Sequence, residues 1–309
     1  MQIQTLVLKA TCVAILTLLT LRPAVSAAEV APLERSVVHR ADGSPVSFLA
    51  EAGARGTQDA LIILQGTGCR EVSDNPSAGR VAELLAPDRR LVLINQPGVI
   101  AGADLELVDG CPTDYWERST LHQRTLDMLL VVAELRRSDW WSGKLVLFGG
   151  SEGGAVVALA AALIPETQAA IVFSSGTGMT VRELIRRALP PPVAAELDAQ
   201  IAAARENPSG GTRWAGLSYK WWADAADVMP ARALALSSAP ILLIHGAQDT
   251  SSPVEAARAG RDYLTTAGKD VAYFEYPALD HFMREVGGED RLPEVMEDAR
   301  RWLAGVVRR

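Results

Sequence analysis

Six short, dense apolar runs set the limits on what this chain can fold into: Ala60–Leu64, Arg90–Ile94, Lys144–Phe148, Ala169–Phe173, Ile241–His245 and Val271–Tyr276. The runs at 60–64, 90–94 and 144–148 read as strands buried in a sheet, without the alternation of a half-solvated one, and the other three read as further strands. Longer stretches of helical character lie between them. One covers 78–85. Another covers 121–135, with apolar residues at 126, 129, 130, 133 and 135, and a third covers 155–164, stopped by Pro165. A helix over 254–267 is expected to take Ser252 as its N-cap, with Pro253 first inside, Glu255 close behind and Gly268 as its stop. The last helix is expected over 293–306. Ahead of all these, Ser36–His39 and Pro45–Ala50 flank the turn Ala41-Asp42-Gly43-Ser44. The predicted class is α/β, with a mostly parallel central sheet covered by helices on both faces. In such sheets the active site lies at the carboxyl ends of the strands.

The stretch 176–239 breaks the alternation. It carries Pro190-Pro191-Pro192, an Ala-rich helix over 193–205, the loop Asn207-Pro208-Ser209-Gly210-Gly211, and Trp214, Trp221 and Trp222. These tryptophans either wall a substrate pocket or pack the insertion onto the body, and the sequence favours neither.

Composition excludes several classes. With 49% hydrophobic and 22% charged residues the chain is an ordinary folded protein. A net charge of −7 gives no reason to expect nucleic acid or an anionic membrane as partner. Four histidines and three cysteines, with no His-Glu-x-x-His and no close Cys pair, argue against a metal centre. Gly66-x-Gly68 lacks the third glycine of a dinucleotide loop, and no Gly-rich loop ends in Lys-Ser/Thr, so no cofactor is expected.

The N-terminus reads as an export signal. Lys9 precedes the apolar, Thr-rich run Ala10–Leu21, Arg22-Pro23 breaks it, and Ala24-Val25-Ser26-Ala27-Ala28 offers small residues to a peptidase. The run is about a dozen residues, short of the roughly 20 needed to span a bilayer. Residues 1–27 are therefore assigned as a signal peptide and 28–309 as the mature domain, which would carry −9 once Lys9 and Arg22 are lost. The expected location is periplasmic or extracellular. Removal of Cys12 leaves Cys69 and Cys111, an even pair in loop-like sequence, and in an oxidising compartment a disulfide is expected between them.

The residues richest in chemistry are Leu145-Val146-Leu147-Phe148-Gly149-Gly150-Ser151-Glu152-Gly153-Gly154. This is Gly-x-Ser-x-Gly between a buried strand and a helix, the setting in which a tight turn holds a serine out at the sheet's edge. A serine hydroxyl needs a base within reach and a carboxylate to orient that base. His281 lies in the loop directly after the last strand, whereas His39, His122 and His245 sit in or beside strands and helices. Asp249 follows the strand at 241–245. The chain order Ser151, Asp249, His281 is the one found on α/β-hydrolase folds.

On these residues, and on the tail His245-Gly246-x-x-Asp249 with Tyr276-Pro277-x-x-Asp280-His281, the chain resembles α/β-hydrolase-fold serine hydrolases. It is similar to esterases, dienelactone-hydrolase-like members and prolyl-oligopeptidase-like catalytic domains. The resemblance implies Ser151 as nucleophile, His281 as base and acid, and Asp249 as the orienting carboxylate, with Asp280 a weaker candidate for that last role. It also implies that 176–239 is a helical cap. An oxyanion site needs two backbone N–H groups. Glu152, after the nucleophile, is one candidate; Thr67 in Gln65-Gly66-Thr67-Gly68 is the other, although that loop departs from the family's His-Gly pattern. The Glu152 side chain either favours the helix N-terminus or binds a cationic substrate. The implied activity is hydrolysis of a small-molecule carboxylic ester through an acyl-enzyme, without a cofactor. A serine peptidase or aminoacyl-amide hydrolase is the alternative, and a non-catalytic binding protein on the same fold is the third reading.

Overall fold

The computed structural model describes residues 32–52, 56–99, 110–209 and 211–308. The signal-peptide assignment, with Cys12, lies outside the described residues.

The dense runs are all strands. The first elements are β1 (Leu33–His39), β2 (Pro45–Glu51), β3 (Gln58–Leu64), α1 (Pro76–Leu85) and β4 (Arg90–Ile94). After them come α2 (Thr113–Arg118), α3 (Leu121–Leu135), β5 (Trp141–Gly150), α4 (Glu152–Ala160) and β6 (Thr167–Phe173). The interrupting stretch supplies α5 (Val181–Ala188), α6 (Pro191–Glu206), the hairpin β7 (Arg213–Trp214) and β8 (Leu217–Ser218), α7 (Tyr219–Ala225) and α8 (Pro230–Leu234). The alternation closes with β9 (Ile241–Gly246), α9 (Val254–Thr266), β10 (Val271–Tyr276) and α10 (Leu292–Val307).

Eight strands form one sheet in the order β1-β2-β4-β3-β5-β6-β9-β10. β1 and β2 join antiparallel, and everything from β4 to β10 is parallel. Strand alternation divides the core in two. Leu145 and Leu147 face one side with Ile62, Leu64 and Val172, packed under α3, α4 and the inserted helices. Val146 and Phe148 face the other with Leu61, Ile63 and Ile244, packed under α1 and α10. The inner parallel strands are therefore apolar on both faces, as their run-like sequence requires, whereas the edge strand β10 is half-buried along its whole length.

Three expectations are corrected in detail. Helix α3 has the predicted bounds but a different buried face. Leu121, Met128, Val131, Val132 and Leu135 point inward, while Leu126 is 54% exposed. Arg124 and Asp127 share this inward face and are paired there, Asp127 with Arg40 and Arg124 with Glu152. Helix α4 begins at Glu152 and ends at Ala160, ahead of Pro165. The N-cap of α9 is Pro253 and not Ser252, because the Ser252 backbone is committed elsewhere: its N–H donates to Asp249 and its carbonyl contacts His245.

The tryptophans of 176–239 are packing residues. Trp222 is fully buried and Trp221 nearly so, in one apolar cluster with Leu197, Ile201 and residues of α3. Trp222 Nε1 donates to the Trp214 carbonyl at 3.1 Å.

Cys69 and Cys111 are bonded, with Cα atoms 5.6 Å apart and a separation of 42 positions in sequence. A closed loop of that length stabilises by about 4 kcal/mol in the chain-entropy picture. Thiol titration of the unfolded, unreduced protein is expected to find at most the single thiol of Cys12. Two further reactive thiols would refute the bridge.

Candidate active site

The site starts from a steric demand at the end of β5. Between this strand and α4 the chain turns so sharply that Ser151 adopts φ 53°, ψ −125°, a left-handed conformation costly for a residue with a side chain. The glycines on either side make the turn possible. A Cβ on Gly149 would stand 2.2 Å from the Gly153 carbonyl oxygen, and one on Gly153 would stand 2.4 Å from that of Leu64. The Ser151 N–H donates to the Phe173 carbonyl at 2.9 Å, which ties the turn to β6.

Asp249 and His281 come from the loops after β9 and β10, neighbouring strands in the sheet. The Asp249 side chain is fully buried, and each of its oxygens has a task. Oδ1 accepts from the Ser251 and Ser252 N–H groups, both at 2.8 Å. Oδ2 lies 2.7 Å from His281 Nδ1. Behind it, His245 Nε2 sits 2.7 Å from the Ser252 carbonyl oxygen and 3.4 Å from Asp249 Oδ2. Burial pushes His245 below the ordinary imidazole range, so it is neutral and its Nε2–H donates to that carbonyl. Asp280 is turned to its own loop, where its Oδ1 accepts from the Phe282 and Arg284 N–H groups. The other two histidines stand apart from Ser151: His39 is exposed on β1, and His122 pairs with Asp224 at the surface.

Ser151 and His281 line one cleft of about 470 Å³, together with Gly66 and Thr67. Its apolar wall includes Ile63, Val81, Phe148, Phe173 and Leu292, and Arg80, Arg284 and Asp290 stand among its polar residues. The Asp290 carboxylate is paired with Arg80. Among the described residues, none that lines the cleft comes from 176–239, in keeping with the buried tryptophans there.

The loop after β3 is tethered residue by residue. The Gln65 carbonyl accepts from Arg124 Nη2 at 2.6 Å, and the Gly66 carbonyl from Gln96 Nε2 at 2.5 Å. Thr67 Oγ1 donates to Glu152 Oε2 at 3.0 Å. The Gly68 N–H donates to the Tyr115 hydroxyl at 3.1 Å, and Cys69 is held by its disulfide. Burial, with the Glu152 carboxylate nearby, pushes the Tyr115 phenol up to about 12, so it stays neutral. Glu152 Oε1 accepts from Arg124 Nη1 at 2.5 Å, and both side chains are more than nine-tenths buried. The carboxylate is thus taken up by Arg124, which removes the cationic-substrate reading of Glu152.

Sequence reading missed Arg124, Gln96 and Tyr115. A signal for the first was present. Arg124 falls on the same helical stripe as Leu121, Met128, Val131 and Leu135, and a charge at a core position must have a partner.

Sheet order, strained serine turn and loop positions together define an α/β-hydrolase. The description of the prolyl oligopeptidase family matches residues 114–308, and the chain belongs to that family. The matched stretch holds Ser151, Asp249 and His281 but starts after the loop at 65–69. Solved structures with the same fold include Est1E from Butyrivibrio proteoclasticus, 17% identical, with TM-score 0.63 over 89% of this chain and 99% of its own. The α/β hydrolase GrgF from Penicillium sp. sh18 is 16% identical, with TM-score 0.62 over 90% of this chain and 100% of its own. A puromycin-hydrolyzing peptidase from Mycobacterium tuberculosis is 14% identical, with TM-score 0.62 over 89% of this chain and 40% of its own. The chain is a serine hydrolase of this type.

Proposed function

We propose that the protein is an exported esterase that cleaves small carboxylic esters through a Ser151 acyl-enzyme. The observation that carries this reading is the juxtaposition at the strand ends: a strained Ser151 shares one cleft with His281, whose Nδ1 is held by the buried Asp249. Ser151 Oγ attacks the acyl carbon while His281 Nε2 takes its proton. The developing oxyanion is received by the Thr67 and Glu152 N–H groups. Glu152 opens α4, so its N–H belongs to the first-turn donors that lack an intrahelical acceptor. His281 then protonates the leaving alcohol. A water, deprotonated by the same imidazole, releases the acid and restores Ser151.

Substrate preference is argued from the cleft. Its apolar wall suits an alkyl or aryl group. Among the described residues lining it, the one carboxylate, Asp290, is already paired with Arg80, which leaves none to receive a free ammonium group. That favours esters over peptides with a free amino terminus. Export is supported by the composition of residues 1–27 and by the disulfide. Among the described residues no helix is long and apolar enough to cross a membrane. We read 176–239 as the cap, serving as a packed flank. The family match keeps peptidase activity as the second reading.

The test pairs a fluorophosphonate probe with a substrate panel. The probe is expected to label Ser151, and aryl esters of short and aromatic acids to turn over at least tenfold faster than matched aminoacyl anilides. Anilides that turn over faster would replace the esterase reading with the peptidase one. A folded protein inert to probe and panel alike would establish the binding-protein reading.

A further inference from the structure

The two backbone donors of the oxyanion site belong to separate parts of the chain, Thr67 after β3 and Glu152 at the start of α4. Local geometry cannot set the distance between them, so tertiary contacts must. From those contacts we infer that the Glu152 carboxylate and the Gln96 amide are positioning residues of the oxyanion site. Neither side chain needs to touch substrate; both act through the loop at 65–69. The inference rests on the proposed role of Ser151 and of the Thr67 and Glu152 N–H groups.

Three links support it. First, the two donor residues are joined by their own side chains, through the bond from Thr67 Oγ1 to Glu152 Oε2. A change in the separation of their backbones stretches this contact directly.

Second, the other oxygen of Glu152 is held by Arg124, whose second nitrogen holds the Gln65 carbonyl. One carboxylate and one guanidinium therefore fix the loop at Gln65 and at Thr67. A buried ion pair is a costly way to add stability, since desolvation offsets much of its attraction. Its planar, directional geometry suits placement of a peptide group.

Third, Gln96 controls the peptide that carries the Thr67 N–H. In a trans peptide the carbonyl and the following N–H point in opposite directions, and the Gly66–Thr67 bond is trans. Gln96 Nε2 holds the Gly66 carbonyl on one side, so the Thr67 N–H is presented on the other. Gly66 itself lies against the nucleophile, where a Cβ would stand 3.0 Å from Ser151 Cβ. The Gln96 amide has a single workable orientation. The Gly66 carbonyl can only accept, so the NH2 group must face it, and the remaining oxygen accepts from Ser119 Oγ at 2.6 Å. Gln96 and Ser119 are both buried, which shields this arrangement from solvent.

The test compares Thr67→Val, Thr67→Ser and Gln96→Met in the full chain. Thr67→Val keeps the backbone N–H and the side-chain shape but loses the bond to Glu152. Loss of a whole oxyanion donor lowers kcat by about 10²–10³-fold, so misplacing one is expected to lower it about 10–100-fold. KM for an aryl ester should stay within about threefold. Affinity for a trifluoromethyl ketone, whose adduct carries the oxyanion, should fall by the same factor as kcat. Thr67→Ser should restore most of the loss, which a purely structural role for the methyl group would not produce. Thermal unfolding identifies any variant that fails to fold, and the near-isosteric Thr67→Val then carries the comparison. Folded Thr67→Val and Gln96→Met proteins with kcat and ketone affinity within twofold of wild type would overturn the inference. A wild type that neither turns over esters nor takes the fluorophosphonate at Ser151 overturns the esterase reading itself, and the inference with it.

Discussion

Ser151→Ala is expected to lower ester turnover by about 10⁶-fold, close to the rate left by the oxyanion donors and binding alone. The substitution removes one oxygen atom and leaves the turn intact, because the strained backbone is fixed by the glycines around it and by the bond from its own N–H to Phe173. Alanine at φ 53° costs no more than serine does, so the unfolding temperature should stay within a few degrees of wild type. His281→Ala is expected to cost nearly as much, because an unassisted hydroxyl is a weak nucleophile near neutral pH. The double variant should be no worse than either single one, as befits groups that act as a unit. Steady-state turnover of an aryl ester by the three purified variants measures all of this. A Ser151→Ala protein retaining even a hundredth of wild-type activity would remove Ser151 from the mechanism.

Asp249→Asn is expected to lower kcat by about 10⁴-fold, a smaller loss than either of those. The reason lies in which atoms surround the carboxylate. Two backbone N–H groups, from Ser251 and Ser252, point at Oδ1, so the oxygen of an asparagine must take that position. Its NH2 group then faces His281 Nδ1, where the second carboxylate oxygen had been. A donor there forces Nδ1 to accept, which leaves the ring proton on Nε2. The imidazole is held in place but in the tautomer that cannot take a proton from Ser151. Fluorophosphonate labelling should slow by a similar factor, with little change in the unfolding temperature. An Asp249→Asn protein within tenfold of wild type would reassign the orienting carboxylate.

Much of this architecture was legible in the sequence because it follows from local rules. Strands buried on both faces must be apolar throughout, so β3, β4, β5, β6 and β9 are visible as runs. The serine turn is visible because a strand that reverses into a helix so tightly excludes side chains at Gly149 and Gly153. His281 and Asp249 could be picked out because each follows a strand's carboxyl end. What stayed hidden depends on contacts between distant residues. Nothing near Gln96 announces that it holds Gly66, and Glu152 gives no local hint of Arg124. Helix α3 carries two apolar stripes, one at 126, 129, 130 and 133 and one at 121, 128, 131 and 132, and only the packing of the sheet against it selects the second as the inward face. Helix α5 was missed although a signal existed. Thr180 and Glu183 form a capping box, with each side chain bonded to the other's backbone N–H. The short α2, α7 and α8 offered too few turns for a periodicity to emerge.

The cleft walls divide labour along the chain. Its described lining away from Ser151 and His281 comes chiefly from two separate short stretches, Asn75–Val81 at the start of α1 and Phe282–Leu292 leading into α10. Those two helices cover the same face of the sheet, so the stretches converge from opposite ends of the sequence. The insertion, for all its aromatic bulk, is spent on packing against the other face. A lineage could therefore shift its diet by editing the approaches to α1 and α10 while leaving the insertion and the strand ends untouched. An engineer seeking to reshape the cleft would randomise Ser77, Val81, Phe282 and Arg284 before any tryptophan.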